Sequence, residues 1–487
     1  MTGLRTAVAR TAGWSARHPW PALSLWLGIV VVSATAGALA LDTPVDEVFG
    51  DASGGHMTWY VAVGSGTVLL LLIALFAAVA PGLVSLLVTL GTVAAAAGWW
   101  AVAARLLPDL GPSASVLALV AVLGTALAVT HCVLYLLSER QARRLVPGRP
   151  RATGTVPESS RTVLCSGGVT ITVACGLYVP GDAPLASVAT GVVLTMAALM
   201  TASITVLPAV SARFGRYLDR PRLPFLWRLT YRLGPPRLWP LLLRPSVRCA
   251  GWTLAGAVVL HAVSALPLVW WQPRPPGEPA ALRYDITGLD GCGSTALNGA
   301  AMASITVLLA FAALAAVSRS APAAAVVTIP AALSAVSACG LSTPLLWLTE
   351  PEQILDAWEF NASATWPPLL AFVSALAVSV LLLRGVVLRA VALRTAGMAP
   401  SEAAARAVAH ASDGMTFTAV VLCAVFLLGA CMGSAAVGQL CVVPAVSVVL
   451  TVTLVRALTL PSLIIVMAKT RRVSPCRPAT GVLPPQK

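Results

Sequence analysis

The feature that most constrains this chain is a series of apolar segments, each long enough to cross a lipid bilayer. A helix needs about 20 mostly apolar residues to span the ~30 Å hydrocarbon core, at about 1.5 Å per residue. Twelve windows satisfy this condition: 20–41, 59–80, 83–104, 114–137, 163–181, 184–208, 250–271, 296–317, 321–343, 367–388, 415–434 and 437–467. The sequence therefore predicts an all-α integral membrane protein of about twelve transmembrane helices.

Composition excludes the other broad classes of protein. Charged residues make up 10% of the 487 residues and hydrophobic residues 58%, whereas a soluble domain carries about 25% charged residues. A surface of this size cannot be solvated by so few charges, so soluble globular, disordered and collagen-like structures are all excluded. Most of the surface must face lipid.

The charges are distributed unequally between the two sides of the predicted membrane. If the N-terminus is inside, only Arg105, Arg274 and Arg283 of the 32 Lys and Arg residues fall in outside loops, whereas 13 of the 18 Asp and Glu residues do. Basic loops stay cytoplasmic in membrane proteins, so we expect both termini in the cytoplasm. The net charge of +14 then reflects topology and attraction to anionic lipids, and does not indicate nucleic-acid binding.

The two halves of the chain show the same order of features. Each half begins with a basic stretch and a single span, and each ends with a closely spaced pair of spans. The closing segments align, since residues 205–209 (TVLPA) match 458–462 (LTLPS). Both copies cross in the same direction, which predicts a parallel repeat of six plus six helices. We divide the chain into repeats 1–240 and 241–487.

Several short segments carry a resemblance to a known family. The run 135–140 (YLLSER) resembles the end of span four in MMPL transporters, a branch of the RND superfamily, and 160–170 (SRTVLCSGGVT) resembles their entry to span five. In the second half, 403–411 resembles the inside helix before span eleven, and 453–456 (TLVR) with Leu460-Pro461 resembles the last span. The resemblance implies a membrane transport protein in a bacterial plasma membrane.

Two features of that family are missing here. MMPL proteins carry large outside porter domains after spans one and seven, but the corresponding loops here are 42–58 and 272–295. Neither loop is long enough to form a domain, which needs roughly 40–60 residues. The chain therefore resembles a reduced MMPL protein without porter domains. We expect membrane lipids, or a second membrane or envelope protein, to cover the outside face, with contacts near Tyr284.

The family also places Asp-Tyr pairs in spans four and ten, where protonation drives transport. At the matching positions this chain has His131-Cys132 and Ser379-Val380. No Asp or Glu lies within any of the twelve windows. A proton relay needs a titratable group within the membrane, so this chain is not expected to run a proton-driven cycle alone.

Three intramembrane polar residues are candidates for a function. His131 titrates near neutral pH and is a candidate proton carrier, or else a neutral histidine bonded to a neighbouring helix. His261, within span seven, is interpreted as a helix-packing histidine. Arg456 is interpreted as a structural residue bound to backbone carbonyls of a neighbouring helix, with lipid-headgroup contact as the alternative. No pattern indicates catalytic residues, a metal site or a cofactor.

Two functional hypotheses follow. The first is an MMPL-like membrane transport protein that moves or flips a lipid or another hydrophobic molecule, and the repeated architecture supports it. The second is a degenerate, non-pumping family member that acts as a membrane scaffold or as a lipid-sensing subunit of a larger complex. The missing porter domains and missing Asp-Tyr pairs support the second hypothesis.

Overall fold

A computed structural model describes residues 2–40, 57–76, 78–107, 114–145, 156–179, 181, 183–218, 238–270, 289–347, 366–432 and 435–470. The regular secondary structure of these residues is helical, which confirms the predicted all-α membrane class. Helical structure is required because lipid offers no hydrogen-bond partners, so each backbone N–H and C=O must bond within its own segment.

Within the described residues, the first half contains seven helices, and six of them coincide with the first six predicted windows. The helices are α1 (Thr2–Arg17), α2 (Pro19–Ala40), α3 (Met57–Phe76), α4 (Val79–Leu106), α5 (Ala114–Leu145), α6 (Val156–Cys175) and α7 (Ala183–Leu218). A short 3-10 turn, Gly176–Tyr178, follows α6. The additional helix, α1, leads directly into the first span.

The second half repeats this order of helices. It contains α8 (Leu238–Arg248), α9 (Ala250–Ala265), α10 (Leu289–Ser318), α11 (Ala321–Trp347), α12 (Trp366–Thr395), α13 (Pro400–Met432), α14 (Ala435–Leu450) and α15 (Leu460–Thr470). The nine-residue π-helix Thr451–Thr459 joins α14 to α15, so the last window is one long interrupted helix. Here α8 takes the place of α1, since it leads directly into the first span of its half.

Within the described residues, ten helices are long and apolar enough to cross a membrane. Two shorter apolar helices, Val63–Ala74 and Thr162–Tyr178, coincide with the second and fifth predicted windows. The chain is thus a multi-pass membrane protein, while the count of twelve spans stays a prediction.

Several predicted loops fall partly or wholly outside the described residues. These are most of 42–58 and 272–295, including Tyr284, the segment 350–365, and the basic segments 146–155 and 219–237. Where the loops are described, helices extend into them. Helix α10 begins at Leu289, within the expected outside loop, and α8 lies within the expected basic inside loop.

Proline and glycine define several helix ends. Pro19 and Pro400 are the first residues of α2 and α13, where a missing N–H costs no helical hydrogen bond. Gly397, two residues beyond the end of α12, has φ 89°. The Met398 N–H that follows it bonds to the carbonyl of Leu393 in the last turn of the helix. This Schellman geometry needs a left-handed residue, which favours glycine.

Two glycines permit the closest helix crossings. A Cβ at Gly98 of α4 would clash with the backbone oxygen of Ser33 in α2, and a Cβ at Gly340 of α11 would clash with that of Ser264 in α9. Small residues let transmembrane backbones approach closely in this way. The two glycines lie at the same position counted from the start of their helices, so the first and third spans of each half cross alike.

Two prolines inside helices leave backbone carbonyls without their usual partner. Pro208 in α7 and Pro461 in α15 have no N–H, so the carbonyls of Ile204 and Ala457, four residues earlier, lose a helical hydrogen bond. Ser15 of α1 donates to the Ile204 oxygen at 3.2 Å, and Ser246 of α8 donates to the Ala457 oxygen at 2.8 Å. Each short basic helix is therefore fixed to the last span of its own half.

The equivalent glycine crossings and serine–carbonyl bonds agree with the division into 1–240 and 241–487, which stays a prediction. Helix α1 packs on α7, and α8 packs on the π-helix and α15. Between the halves, α13 packs on α3 and α5 of the first half. Helix α6 of the first half packs on α10 and α12 of the second half. Helices α12 and α5 are the most buried of the candidate spans, and α2, α9 and α10 are among the most exposed.

We predict that Ser15→Ala destabilises the protein by about 1 kcal/mol, because it leaves the Ile204 carbonyl without a donor. In a Pro208→Ala background the same substitution should have almost no effect, because the backbone N–H restored at position 208 bonds to that carbonyl. Thermal unfolding of the four variants of this double-mutant cycle, purified in detergent, measures the coupling.

The matched control is Ser304→Ala, since Ser304 is exposed and donates to the carbonyl of Ala300 within its own helix. It should leave the unfolding midpoint unchanged. Equal effects of Ser15→Ala in the wild-type and Pro208→Ala backgrounds would show that the serine does not act through this carbonyl.

Candidate functional site: the interface between the halves

The two halves meet along a central interface formed by α5, α6 and α7 on one side and α12 and α13 on the other. A small apolar cavity of about 30 Å³ lies within it. Its lining consists of Leu123, Leu127, Thr170, Ala174, Leu177, Val188, Val192, Leu370, Val373, Ser374, Ala377, Val378 and Phe426. This volume is enough for one or two water molecules, so the halves are closed against each other here.

A stripe of buried polar residues runs along α5 on the cytoplasmic side of this cavity, in the predicted orientation. His131, Tyr135 and Glu139 follow one another at intervals of four residues, which places them on the same face of the helix. His131 and Tyr135 are fully buried and Glu139 is 3% exposed. We call these three residues the polar stripe.

The predicted windows contain no carboxylate, but Glu139, just beyond the fourth window, is buried within the bundle. The candidate span in this region is Leu119–Glu139, which ends two residues beyond the predicted window 114–137, and its last side chain is buried. A window chosen by hydropathy ends where charge begins, so it placed Glu139 in a solvated loop. The signal in the sequence was that Tyr135 and Glu139 follow His131 at successive intervals of four residues.

Arg384 of α12 is a second residue that the sequence analysis missed. It lies inside the predicted window 367–388 but near its end, where basic residues usually mark the cytoplasmic boundary. Its side chain is only 8% exposed, and it donates a hydrogen bond of 3.2 Å to the carbonyl of Thr162 in α6. Arg384 therefore joins the second half to the first.

The structure brings His131 close to Arg384, but not into the proton-relay arrangement of two facing titratable groups. The His131 Nδ1–H donates to the carbonyl of Leu127 at 2.7 Å, and Arg384 lies within electrostatic range of the ring. The Nε2 atom of His131 is buried and has no hydrogen-bond partner among the described residues. The neighbouring Cys132 is fully buried beside Thr89 of α4.

Ser379 and Val380, the second pair of candidate positions, lie apart from the polar stripe. Val380 is buried as an apolar side chain. The Ser379 hydroxyl lies 2.9 Å from both the Ser447 and the Thr451 hydroxyls. Ser334 of α11 also lies near these two, so four hydroxyl groups form one cluster that we call the hydroxyl ring.

Arg456 lies fully buried within the π-helix. Its guanidinium donates to the carbonyl of Val408 at 3.3 Å and to the Thr416 hydroxyl at 3.0 Å, both on α13. The contact to Val408 is the one that its interpretation as a structural residue expects. A π-helix places one extra residue in a turn and is uncommon outside functional regions.

His261 of α9 is almost completely buried, and three polar contacts surround it. Its Nδ1 lies 2.7 Å from the Ser337 hydroxyl, which in turn donates to the His261 carbonyl at 3.1 Å. The Thr459 hydroxyl lies 3.4 Å from Nε2. These contacts join α9 to α11 and the π-helix, which is the role expected of a helix-packing histidine.

In the part of the chain that the structure describes, no group of three or more His, Cys, Asp and Glu side chains is close enough to hold a metal ion. The polar groups of the interface include donors to backbone carbonyls, such as His131 to Leu127 and Arg384 to Thr162. Chemically, these polar groups can hold the halves together. They can also exchange one hydrogen-bond partner for another when the halves move.

Comparison with known proteins identifies the type of fold. The chain is similar to SecDF, a translocon-associated membrane protein from Thermus thermophilus, with a TM-score of 0.54 and 13% identity. The likeness covers 85% of this chain and 62% of SecDF. A SecDF structure in the super-membrane-facing form gives the same TM-score and coverage with 16% identity.

A structure of the hedgehog release protein Disp from the water bear Hypsibius dujardini is more distant, with a TM-score of 0.46, 11% identity, and coverage of 84% and 70%. No family model matches this chain, and no curated protein sequence matches it. The likeness to SecDF shows that the two proteins share a fold. This chain spans less than two thirds of the length of SecDF.

We predict that Arg384→Ala lowers the stability of the purified protein by about 1.5–3 kcal/mol, because it removes a charged donor that joins the two halves. Arg389→Ala is the matched control, since it removes a half-buried charge from the same helix. Thermal unfolding in detergent measures both variants. Equal losses of stability would show that the contact between Arg384 and Thr162 does not hold the halves together.

Proposed function

We propose that this chain is an MMPL-like membrane transport protein that moves or flips a lipid or another hydrophobic molecule. The observation that carries the proposal is the central interface, where the most buried helices of the first and second halves of the chain enclose an apolar cavity. In transporters built from repeats, substrates bind at the interface between the repeats and the halves rock against each other.

The lining of the cavity supports a hydrophobic substrate. Eleven of its thirteen side chains carry no polar atom, and the two hydroxyls are those of Thr170 and Ser374. A polar solute would have to lose its water without gaining hydrogen bonds, which is unfavourable. An acyl chain pays no such cost, so opening the interface by a few ångströms would admit lipid.

The location that we propose is a bacterial plasma membrane, with both termini in the cytoplasm. In that orientation the short basic helices α1 and α8 lie at the cytoplasmic surface. Exposed Arg10 and Arg17 in α1, and Arg244 and Arg248 in α8, would face anionic headgroups. A second membrane or envelope protein at the outside face stays part of the proposal.

The alternative is a non-pumping scaffold or lipid-sensing subunit. Two observations favour it. The cavity is too small for an acyl chain in this closed state, and neither predicted coupling pair contains a carboxylate. The two hypotheses differ in whether the interface opens, and this difference can be measured.

The test is lipid movement in vesicles of phosphatidylethanolamine and phosphatidylglycerol that contain the full chain and a trace of NBD-labelled phosphatidylglycerol. We expect dithionite to bleach the NBD label that begins in the inner leaflet, in addition to the label in the outer leaflet, because the protein carries the labelled lipid outward. Ala377→Phe, which fills the cavity, should slow this movement by about tenfold or more.

Ala316→Phe is the matched control, since Ala316 lies on the exposed face of α10. It adds the same side chain where lipid accommodates it, and should leave the rate unchanged. No lipid movement by the folded wild-type protein, or equal slowing by both substitutions, would contradict the proposal and favour the scaffold.

A further inference from the structure

The hydroxyl ring lies where three segments of the second half meet. Its members are Ser334 of α11, Ser379 of α12, Ser447 of α14 and Thr451, the first residue of the π-helix. Around the ring, the oxygen–oxygen distances are 2.9 Å from Thr451 to Ser334, 2.9 Å from Ser379 to Thr451, 2.9 Å from Ser447 to Ser379 and 3.4 Å from Ser334 to Ser447. All four residues are fully buried.

These hydroxyls differ from other buried hydroxyls of the bundle. Thr92, Thr130 and Thr195 each donate to the carbonyl four residues earlier in their own helix. The ring hydroxyls bond across helices instead, so their oxygens surround a common centre. Four separate positions on three helical segments must be hydroxyl-bearing to produce this arrangement.

We propose that the hydroxyl ring is a binding site for a sodium ion. The ring supplies four neutral oxygens, and the carbonyl of Ser447, which lies 3.2 Å from the Ser334 hydroxyl oxygen, is available as a fifth. Neutral carbonyl and hydroxyl oxygens can replace the hydration shell of a monovalent cation within a membrane protein.

The size of the ring favours sodium. In a planar ring with these edges, the centre lies about 2.1 Å from each oxygen, slightly less than the ~2.3–2.6 Å that Ca²⁺ takes, an ion of nearly the same radius as Na⁺. Expansion of the three short edges to the length of the Ser334–Ser447 edge provides the necessary space. A larger ion such as K⁺ would need all four edges to lengthen further, against close packing.

The hydroxyl hydrogens have alternative acceptors when an ion is bound. Each ring residue lies on a helical segment, so the carbonyl four residues earlier is within reach of its O–H. These carbonyls belong to Pro330, Ala375, Val443 and Ser447. Each O–H can then rotate away from the centre, so that the lone pairs of the oxygen point at the cation. Because each hydrogen still has an acceptor, no hydrogen bond is lost overall.

Two further features bear on a charge at this position. The ring contains no titratable group, so a proton cannot be held there, whereas an ion can. Arg456, in the same π-helix, directs its charge toward α13, where the Val408 carbonyl and the Thr416 hydroxyl accept it. The π-helix begins at Thr451, so the segment that supplies the fourth oxygen also has an altered backbone register.

The proposal concerns binding and does not depend on lipid movement. The experiment uses the full chain in detergent at constant ionic strength, with NaCl replaced stepwise by KCl or choline chloride. We expect a saturable rise of about 2–4 °C in the unfolding midpoint with Na⁺ alone. Binding of radioactive sodium to the purified protein provides a second readout.

Thr451→Val keeps the shape of the side chain and removes the hydroxyl, so it should abolish both signals, whereas Thr451→Ser should keep them. Ser379→Ala should also abolish them. Thr453→Val is the control in the same π-helix, because the Thr453 hydroxyl donates to the Val449 carbonyl and lies outside the ring. Equal midpoints in Na⁺ and K⁺, or a sodium effect that persists in Thr451→Val and Ser379→Ala, would overturn the proposal.

Discussion

The absence of hydrogen-bond partners in lipid is the constraint on which this structure depends. A carbonyl freed by a proline in the membrane must find a donor within the protein, and here Ser15 and Ser246 supply it to Ile204 and Ala457. The same demand explains why the short helices α1 and α8 pack on the last span of each half. Local proline chemistry thus accounts for one hydrogen bond between the short helix and the last span in each half.

Buried polar side chains obey the same constraint in two ways. At the central interface, Arg384 donates to a carbonyl of the opposite half, so separating the halves would leave both groups without this bond. In the second half, the hydroxyl ring is closed upon itself across three segments. One arrangement opposes movement between the halves, while the other stiffens a single half and provides oxygens for an ion.

The sequence predicted the helices well because about 20 consecutive apolar residues are a strong and local signal. It was less informative about charges near the window ends, since it singled out neither Glu139 nor Arg384 although both side chains are buried. Burial at such positions depends on neighbouring helices, and hydropathy contains no such information. The hydroxyl ring was also not predictable, since Ser334, Ser379 and Ser447 are distant in sequence and resemble the many other hydroxyls of the bundle.

The central claim is that this chain has no proton-driven cycle of its own. His131 is the titratable residue at a predicted coupling position, and its counterpart Ser379 belongs to a neutral hydroxyl ring. The direct measurement is proton flux into liposomes that contain the full chain under a pH gradient, with His131→Ala in parallel. The account predicts the same small flux for both proteins and for empty liposomes. A flux that depends on the gradient and disappears in His131→Ala would contradict it.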